Sequence, residues 1–457
     1  MQFAGQRTDA DLKPIGEPYN ILIKLTDDVL PDPGACLVTG ITPQKTLVEG
    51  ITEAEFIDIF DKQINRPGTI FVGFNSIRFD DEFMRFLFYR NYYDPYEWQW
   101  KNRSGRWDLL DVSRMTRALR PEGIKWPSDS SGKPTNRLEL LSAANGLDHS
   151  DAHDALSDVK ATIALAELIK NKTPKIFDYL LSVRDKKSVQ QLCSSQQPFV
   201  YTCGKYPGEF EKTTVVMPLG PHPDRNGVLV YDLRHDPKEF VDLKPEELAK
   251  LWQYDKEAKK VHLPVKSLQF NRCPAIAPLG VLDDASQKRL AIDLKQIDKN
   301  RKILASSDKF YANLTKAAEI LNSHRKEQPR MIEDETSVDS KLYDGFIPDS
   351  DKKLSDEIRK SEPDELMTFE DQLADERLKK MLLLYKGRNY KKALSPDEHE
   401  RWESYRKNKL LSGGEKSQFA CFGKKLEEYA ENPKLSEEDK YLLEELKLYG
   451  LGIRPED

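Results

Sequence analysis

The sequence predicts three successive architectures: an α/β domain, a small β-rich domain and a helical C-terminal region. Three observations carry this. Across residues 1–173, apolar strand-like runs at Tyr19 to Leu25, Thr69 to Phe74 and Trp107 to Val112 alternate with helical stretches. From Pro174 to about residue 330 the texture changes to short β-rich pieces separated by proline- and glycine-rich turns. The remainder carries helix-start signals and no strand pattern.

The Thr69 run is introduced by the turn pair Pro67-Gly68. The clearest helix of the first region spans Ala152 to Lys170, with Ala155, Val159, Ile163 and Ala166 on one face. In the second region the strand candidates are Phe199 to Thr202, Thr213 to Met217, Val228 to Leu233 and Val261 to Val265, linked by Pro218-Leu219-Gly220-Pro221 and Asp224-Arg225-Asn226-Gly227. A charged stretch from His324 to Ser340 reads as a linker. Beyond it, Ser395-Pro396-Asp397-Glu398 is a capping box with proline at the first helical position, and Ser436 to Asp439 is a second helix start.

The 457 residues allow two to four domains at roughly 100–200 residues each. With 32% charged and 38% hydrophobic residues the chain has cores and a polar surface, and no stretch nears the ~20 apolar residues of a membrane helix. Five scattered cysteines without a CxxC pair argue against a disulfide framework or a zinc site and fit a reducing cytosol. The net charge of −6 neither indicates nor excludes nucleic acid, because a local basic channel matters more than the total.

Three constellations could carry chemistry. In Gly73-Phe74-Asn75-Ser76-Ile77-Arg78-Phe79-Asp80-Asp81-Glu82 an apolar strand runs through a turn into a helix with carboxylates at the junction, where a hard cation could find oxygen ligands. The ordinary alternative is that Asp80 and Asp81 are acids favoured by the helix dipole. In His149-Ser150-Asp151-Ala152-His153-Asp154-Ala155-Leu156-Ser157-Asp158 a histidine precedes Asp158 near a helix start, and Asp154 and Asp158 share a face. A histidine beside a metal-binding aspartate can take a proton from metal-bound water; otherwise this is a capped helix with solvated acids. The third runs from Phe86 to Trp100 and on to Lys101, Arg103 and Arg106, interleaving aromatics with cations. Rings on which bases stack and cations that follow phosphates suit a single strand. Most of these rings must be core; Tyr96 and Trp100 are the candidates for exposed platforms. Arg114, Arg120 and Arg137 add positive charge.

These segments, together with Phe88-Tyr89-Arg90-Asn91, Arg106 to Val112, Leu119-Arg120-Pro121-Glu122-Gly123 and Leu342-Tyr343-Asp344-Gly345-Phe346, closely resemble the bacterial exodeoxyribonuclease I family over nearly the whole chain. The resemblance implies a ribonuclease-H-like exonuclease domain over 1–173, an SH3-like barrel domain over 174–330 and a helical domain over 331–457. It implies 3′→5′ cleavage of single-stranded DNA to 5′-mononucleotides with two Mg²⁺ ions, in repair and recombination, by a cytoplasmic monomer. By motif match Asp80 and Asp158 are catalytic metal ligands and His153 is the general base. Arg137 matches the substrate-binding arginine, and Arg85, Tyr96, Trp100, Arg114 and Asn226 fall where the family touches DNA. Arg120 and Tyr179 match the dock for the acidic tail of single-strand-binding protein. Asp283 and Ala305 stand where relatives carry further basic contacts, so docking is expected to be weak.

The family begins with a strand bearing Asp-x-Glu, and Gln2 to Asp9 already matches the segment after it; Asp9-Ala10-Asp11 is a poor substitute. The expectation is therefore a chain that lacks the first strand, leaves an apolar edge at Thr69 to Phe74 and cannot run the reaction as written, its gene product starting upstream. The alternatives are a catalytically dead single-strand-binding protein and an exoribonuclease acting on short RNA.

Overall fold

The computed structural model describes residues 1–147, 155–223, 226–253, 262–327 and 338–456. In the first region, β1 (Gln2–Gly5) pairs antiparallel with β2 (Tyr19–Leu22), Phe3 opposite Ile21. β3 (Ile70–Gly73) runs parallel to β4 (Gly105–Asp108), Val72 opposite Trp107. Among the described residues the two pairs do not join into one sheet. Val72 on β3 is 40% exposed. Arg7 reaches from one pair to the other, donating to the Ile64 carbonyl (2.6 Å) and the Thr69 hydroxyl (3.3 Å). Behind them the helix α3 (Glu53–Ile59; α1 is Pro33–Thr39 and α2 Pro43–Glu49) helps build an aromatic layer. Phe3 lies 5.1 Å from Phe56, and Phe71 stacks on Phe60 at 5.4 Å with Trp98 edge-on at 5.3 Å.

The third strand-like run is corrected. The strand ends at Asp108, whose carboxylate accepts from the Leu110 amide, and α5 (Leu109–Leu119) starts there, so Leu109 to Val112 is helical. A capping side chain overrides an apolar run that by periodicity could be either element. α5 buries Leu109, Val112, Met115, Ala118 and Leu119 in one core with Val200, Val215 and Leu229 of the second region. α4 (Asp80–Arg90) and α6 (Leu138–Ala144) complete the front, and α7 (Ala155–Lys172) crosses β1. On α7 the fully buried residues are Ala161, Thr162, Leu165, Ala166 and Ile169, whereas Ala155, Val159 and Ile163 are half-buried. The helix is packed on two sides, so the face predicted from one apolar stripe is only part of its contact.

Among the described residues the second region forms a five-stranded antiparallel sheet in the order β8-β7-β6-β5-β9. Its strands are β5 (Phe199–Thr202), β6 (Thr213–Pro221), β7 (Gly227–Asp232), β8 (Val265–Gln269) and β9 (Ala275–Pro278). Side chains alternate between two cores: Phe199 and Tyr201 face one, Val200 the other. Pro218 to Pro221, expected as a turn, lies within β6, where a bulge between Pro218 and Gly220 absorbs the prolines. Gly220 is required there, because a Cβ would fall 2.4 Å from the Tyr311 ring. The fourth strand starts at Val265 rather than ending there, and β9 went unpredicted; Val261 lies outside the described residues. Residues assigned to a linker from His324 are helical as far as Glu327, at the end of a helix that starts at Asp308.

The last region is helical. The predicted capping box forms at Ser395–Glu398, and the predicted second helix start at Ser436 is also a capping box, closed by Asp439. It grips the first region by burial and by charge. Tyr89 and Tyr92 of the α4 end bury their rings and donate to the carbonyls of Val338 (3.2 Å) and Leu378 (2.7 Å). Asp28, fully buried, accepts from Arg388 and Lys409 at 2.7 Å each and from the Thr26 hydroxyl at 2.6 Å; Arg388 also forks onto Asp339 at 2.8 and 2.6 Å. Burial alone would raise the Asp28 carboxyl, but the two cations hold it far below its ordinary value of 3.8. The same balance leaves Asp339 at about 2.

Candidate active site

β3 ends at Gly73, where a Cβ would meet the Ser76 side chain at 2.5 Å, so the chain doubles back immediately. Asn75 follows with φ +63°, a left-handed conformation that asparagine tolerates better than most residues. Asp108 clamps this turn. Its Oδ1 accepts from the amides of Asn75 and Leu110 at 2.9 Å each, and its Oδ2 from Ile77 at 3.2 Å. One buried carboxylate thus caps α5 and fixes the turn that delivers the first residue of α4, Asp80.

The two adjacent acids then divide. Asp81 turns inward, buried against Arg106 and 3.9 Å from Arg85, which is the ordinary structural role. Asp80 opens at the rim. Although its edge meets solvent, the protein behind it raises its pKa by burial, and the carboxylates of Asp108 and Asp158 raise it further. Asp158 sits in the first turn of α7. Acids that disfavour each other's charge are relieved by a nearby cation. Asp108 is committed to three amides of the turn and the helix start. Among the described residues no group of three or more histidine, cysteine or acidic side chains is placed to hold a metal. His153 and Asp154 lie outside the described residues.

A cleft of about 560 Å³ opens in front of Asp158, walled by Asn75, Arg78, Leu110, Arg114 and Arg137 and, from the barrel side, by Gly208 and Lys212. Arg137 is at the N-cap position of α6; its side chain is 69% exposed and pairs only with Glu139 among the described residues. Arg114 is tied to Asp111 at 2.6 Å and lies against Gly204, where an added Cβ would be 2.9 Å from its guanidinium. Tyr96 and Trp100 are exposed, by 38% and 62%. They flank a short 3-10 turn, Glu97–Gln99, rather than sharing an α-helix. Arg85 is buried under Tyr96, 5.7 Å from the ring centre, and bonds Glu82 (2.5 Å) and Gln99 (3.3 Å). Asn226 is exposed on the hairpin before β7, away from the cleft lining. Arg120 and the half-buried Tyr179 are outside the cleft lining, and Arg120 bonds Asp283 at 3.0 Å and the Val281 carbonyl at 3.0 Å.

The sequence reading missed Asp108, Glu82 and Arg78 as organisers. Glu82 joins all three regions, accepting from Tyr343 and Arg85 at 2.5 Å each and approaching Arg272 at 3.8 Å. Asp108 and Arg78 lay inside recognisable motifs; the roles of Glu82, Tyr343 and Arg272 appear only once the chain is folded.

Three family models match in order: Exonuclease over residues 1–166, Exonuclease I SH3-like domain over 184–319 and Exonuclease I C-terminal domain over 336–453. The chain is 38% identical to exodeoxyribonuclease I of Haemophilus influenzae over 464 residues, covering 99% of this chain and 94% of the relative. The chain belongs to the exodeoxyribonuclease I family. The Escherichia coli enzyme of that name is 38% identical over 411 residues, covering 89% of this chain and 85% of its own length. Among solved structures, a moderately thermophilic exonuclease I from Methylocaldum szegediense matches with TM-score 0.90 and 40% identity, covering 99% of this chain and 95% of that one. E. coli exonuclease I in complex with an oligonucleotide matches with TM-score 0.90 and 35% identity over the same shares. The exodeoxyribonuclease I family supplies the names for the regions above: a ribonuclease-H-like exonuclease domain, an SH3-like barrel and a helical C-terminal domain.

Proposed function

We propose that this chain degrades single-stranded DNA from the 3′ end, releasing 5′-mononucleotides, in DNA repair and recombination. One observation carries the reading: Asp158 lines a cleft walled by Arg78, Arg114 and Arg137, and its charge is felt by Asp80. Solved relatives include an E. coli exonuclease I complex with single-stranded DNA in a zinc-bound form. Asp80 and Asp158 would hold a divalent ion, for which we propose Mg²⁺, two in the complete family site. Such an ion, when bound, polarises the phosphodiester and acidifies water. We assign the scissile phosphate to Arg137, exposed at the start of α6. Tyr96 and Trp100 offer faces to bases, and Arg85 supports Tyr96 from beneath. Arg114 and Asn226 complete our proposed strand contacts, and His153 our proposed general base.

The experiment is a time course on 5′-labelled and 3′-labelled oligonucleotides, DNA and RNA, with Mg²⁺ or chelator. Mononucleotides released from the 3′ end of DNA alone, only with metal, are expected. Strand binding without metal-dependent product would instead indicate a strand-binding protein, and preferential loss of RNA would overturn the DNA reading.

We further propose the divisions 1–173, 174–330 and 331–457, and action as a cytoplasmic monomer. Among the described residues no helix is long and apolar enough to cross a membrane, and all five cysteines are free.

A solved neighbour is a complex of exonuclease I with the C-terminal peptide of single-strand-binding protein. We propose that Arg120 and Tyr179 form the corresponding dock here, with an internal competitor. Asp283 holds Arg120 at 3.0 Å, and Ala305 offers no cation. An incoming carboxylate must displace Asp283, so the tail peptide should bind more weakly than micromolar. Asp283→Ala should tighten binding several-fold by calorimetry, since an exposed pair contributes about 1 kcal/mol or less. Arg120→Ala should abolish it; tight binding by the unaltered chain would show the competitor to be irrelevant.

A further inference from the structure

The barrel wall of the cleft contains a strained turn. Glu211 and Lys212 have φ of +48° and +57°. Two consecutive non-glycine residues in the left-handed region cost on the order of 1–2 kcal/mol each and persist only where their surroundings impose it. The turn is closed by its own backbone: the Glu211 amide bonds the Gly208 carbonyl (3.0 Å), the Lys212 amide the Pro207 carbonyl (3.1 Å), and the Lys212 carbonyl accepts from Cys203 (2.9 Å). It is also held from across the cleft. The Glu211 carboxylate, 18% exposed, pairs at 2.9 Å with Nε of Arg117, which is 9% exposed on α5. Arg117 spends Nη1 on the carbonyls of Pro127 (3.1 Å) and Thr135 (2.9 Å), at both ends of the loop that leads to Arg137. One guanidinium therefore sets the spacing between the two walls.

The consequence falls on Lys212. Its side chain is half-buried over Gly208, where an added Cβ would lie 4.0 Å from Nζ, and it lines the cleft with Arg114, Arg137 and Asp158. Its ammonium makes no ion pair among the described residues. A largely buried ion pair such as Arg117–Glu211 adds little net stability after desolvation, so its effect is geometric. We propose that Lys212 binds a backbone phosphate of the strand in the cleft and that the Arg117–Glu211 pair is the positioning element that aims it there. A lysine suits this task, being a compact charge with three rotatable donors. The proposal rests on the single-strand reading above.

The test is equilibrium binding of a fluorescent oligothymidylate by the full chain in chelator, titrated over salt. Each phosphate neutralised on a single strand contributes about 0.7 to the slope of log affinity against log salt. Lys212→Ala should flatten the slope by about that amount and weaken binding about tenfold at low salt. Lys212→Arg should restore the slope. Glu211→Gln removes a negative charge from the cleft, which by itself would tighten binding; a weakening instead reads lost positioning. In the Lys212→Ala background, where there is no ammonium left to aim, Glu211→Gln should no longer weaken binding. An unchanged slope and affinity in Lys212→Ala overturns the phosphate contact, and a fully additive or tightening Glu211→Gln overturns the positioning role. Failure of the unaltered chain to bind any oligonucleotide would overturn the single-strand reading itself, and this proposal with it.

Discussion

Replacing Asp28 with alanine is expected to lower the unfolding free energy by about 3–5 kcal/mol, the usual cost of stranding one side of a buried ion cluster. Asp28 is fully buried and offsets Arg388 and Lys409; without it Asp339 alone faces both cations. The pH dependence follows from the same geometry. Asp28 and Asp339 both hold protons less tightly in the folded chain than their ordinary 3.8, Asp339 at about 2 and Asp28 lower. Carboxyls depressed in this way stabilise the fold above the unfolded value, and the stabilisation is lost as pH falls through the folded one. Thermal unfolding from pH 6 to 2.5 should therefore show the unaltered chain losing stability below about pH 4. Asp28→Asn should start lower and lose less over the same interval. Parallel curves for the two proteins would show that the cluster is not the acid-sensitive element.

Removing Trp100 and Tyr96 together should weaken single-strand binding by about 2–6 kcal/mol, at about 1–3 kcal/mol per stacked base, and leave folding intact. Both rings are exposed, unlike Trp98 between them, which is 4% exposed and packs on Phe71. Trp98→Ala thus serves as the contrast: it should lower stability by about 3–5 kcal/mol through a cavity. Fluorescence anisotropy in chelator separates the cases. If the double variant binds as the unaltered chain does, the strand runs elsewhere.

What the sequence made legible was local. Helix starts with a cap were readable because Ser395 with Glu398, and Ser436 with Asp439, bond within a single turn. The β-barrel strands were readable where side chains alternate, as in Phe199 to Thr202. They were misread where Pro218 and Pro221 enter a strand through a bulge, and where the short β9 offers only four residues. At the site, Asp80 and Asp158 could be picked out by motif. That Asp81 beside Asp80 is structural depends on Arg106, twenty-five positions away. That Glu82 is a three-way junction depends on Arg272 and Tyr343, distant in the chain. Such roles have no local signature, since any exposed-looking arginine or glutamate could hold them.

The burial of α5 among Val200, Val215 and Leu229 has a practical consequence for anyone wishing to dissect or recombine this molecule. A cut between the exonuclease and barrel regions would wet Val112, Met115 and Leu119 on one product and the β5–β6 face on the other. Neither piece would be a self-sufficient module. Grafting a foreign barrel would require carrying α5 along with it, or redesigning both faces of the seam. The C-terminal helices are joined in the same way: Tyr89 and Tyr92 share a core with Leu378 and Met381, Cys36 packs with Phe422, Leu442 and Leu446, and the Asp28–Arg388 pair is buried beside them. Exchange between relatives at that seam would have to carry both apolar faces and the buried charges together.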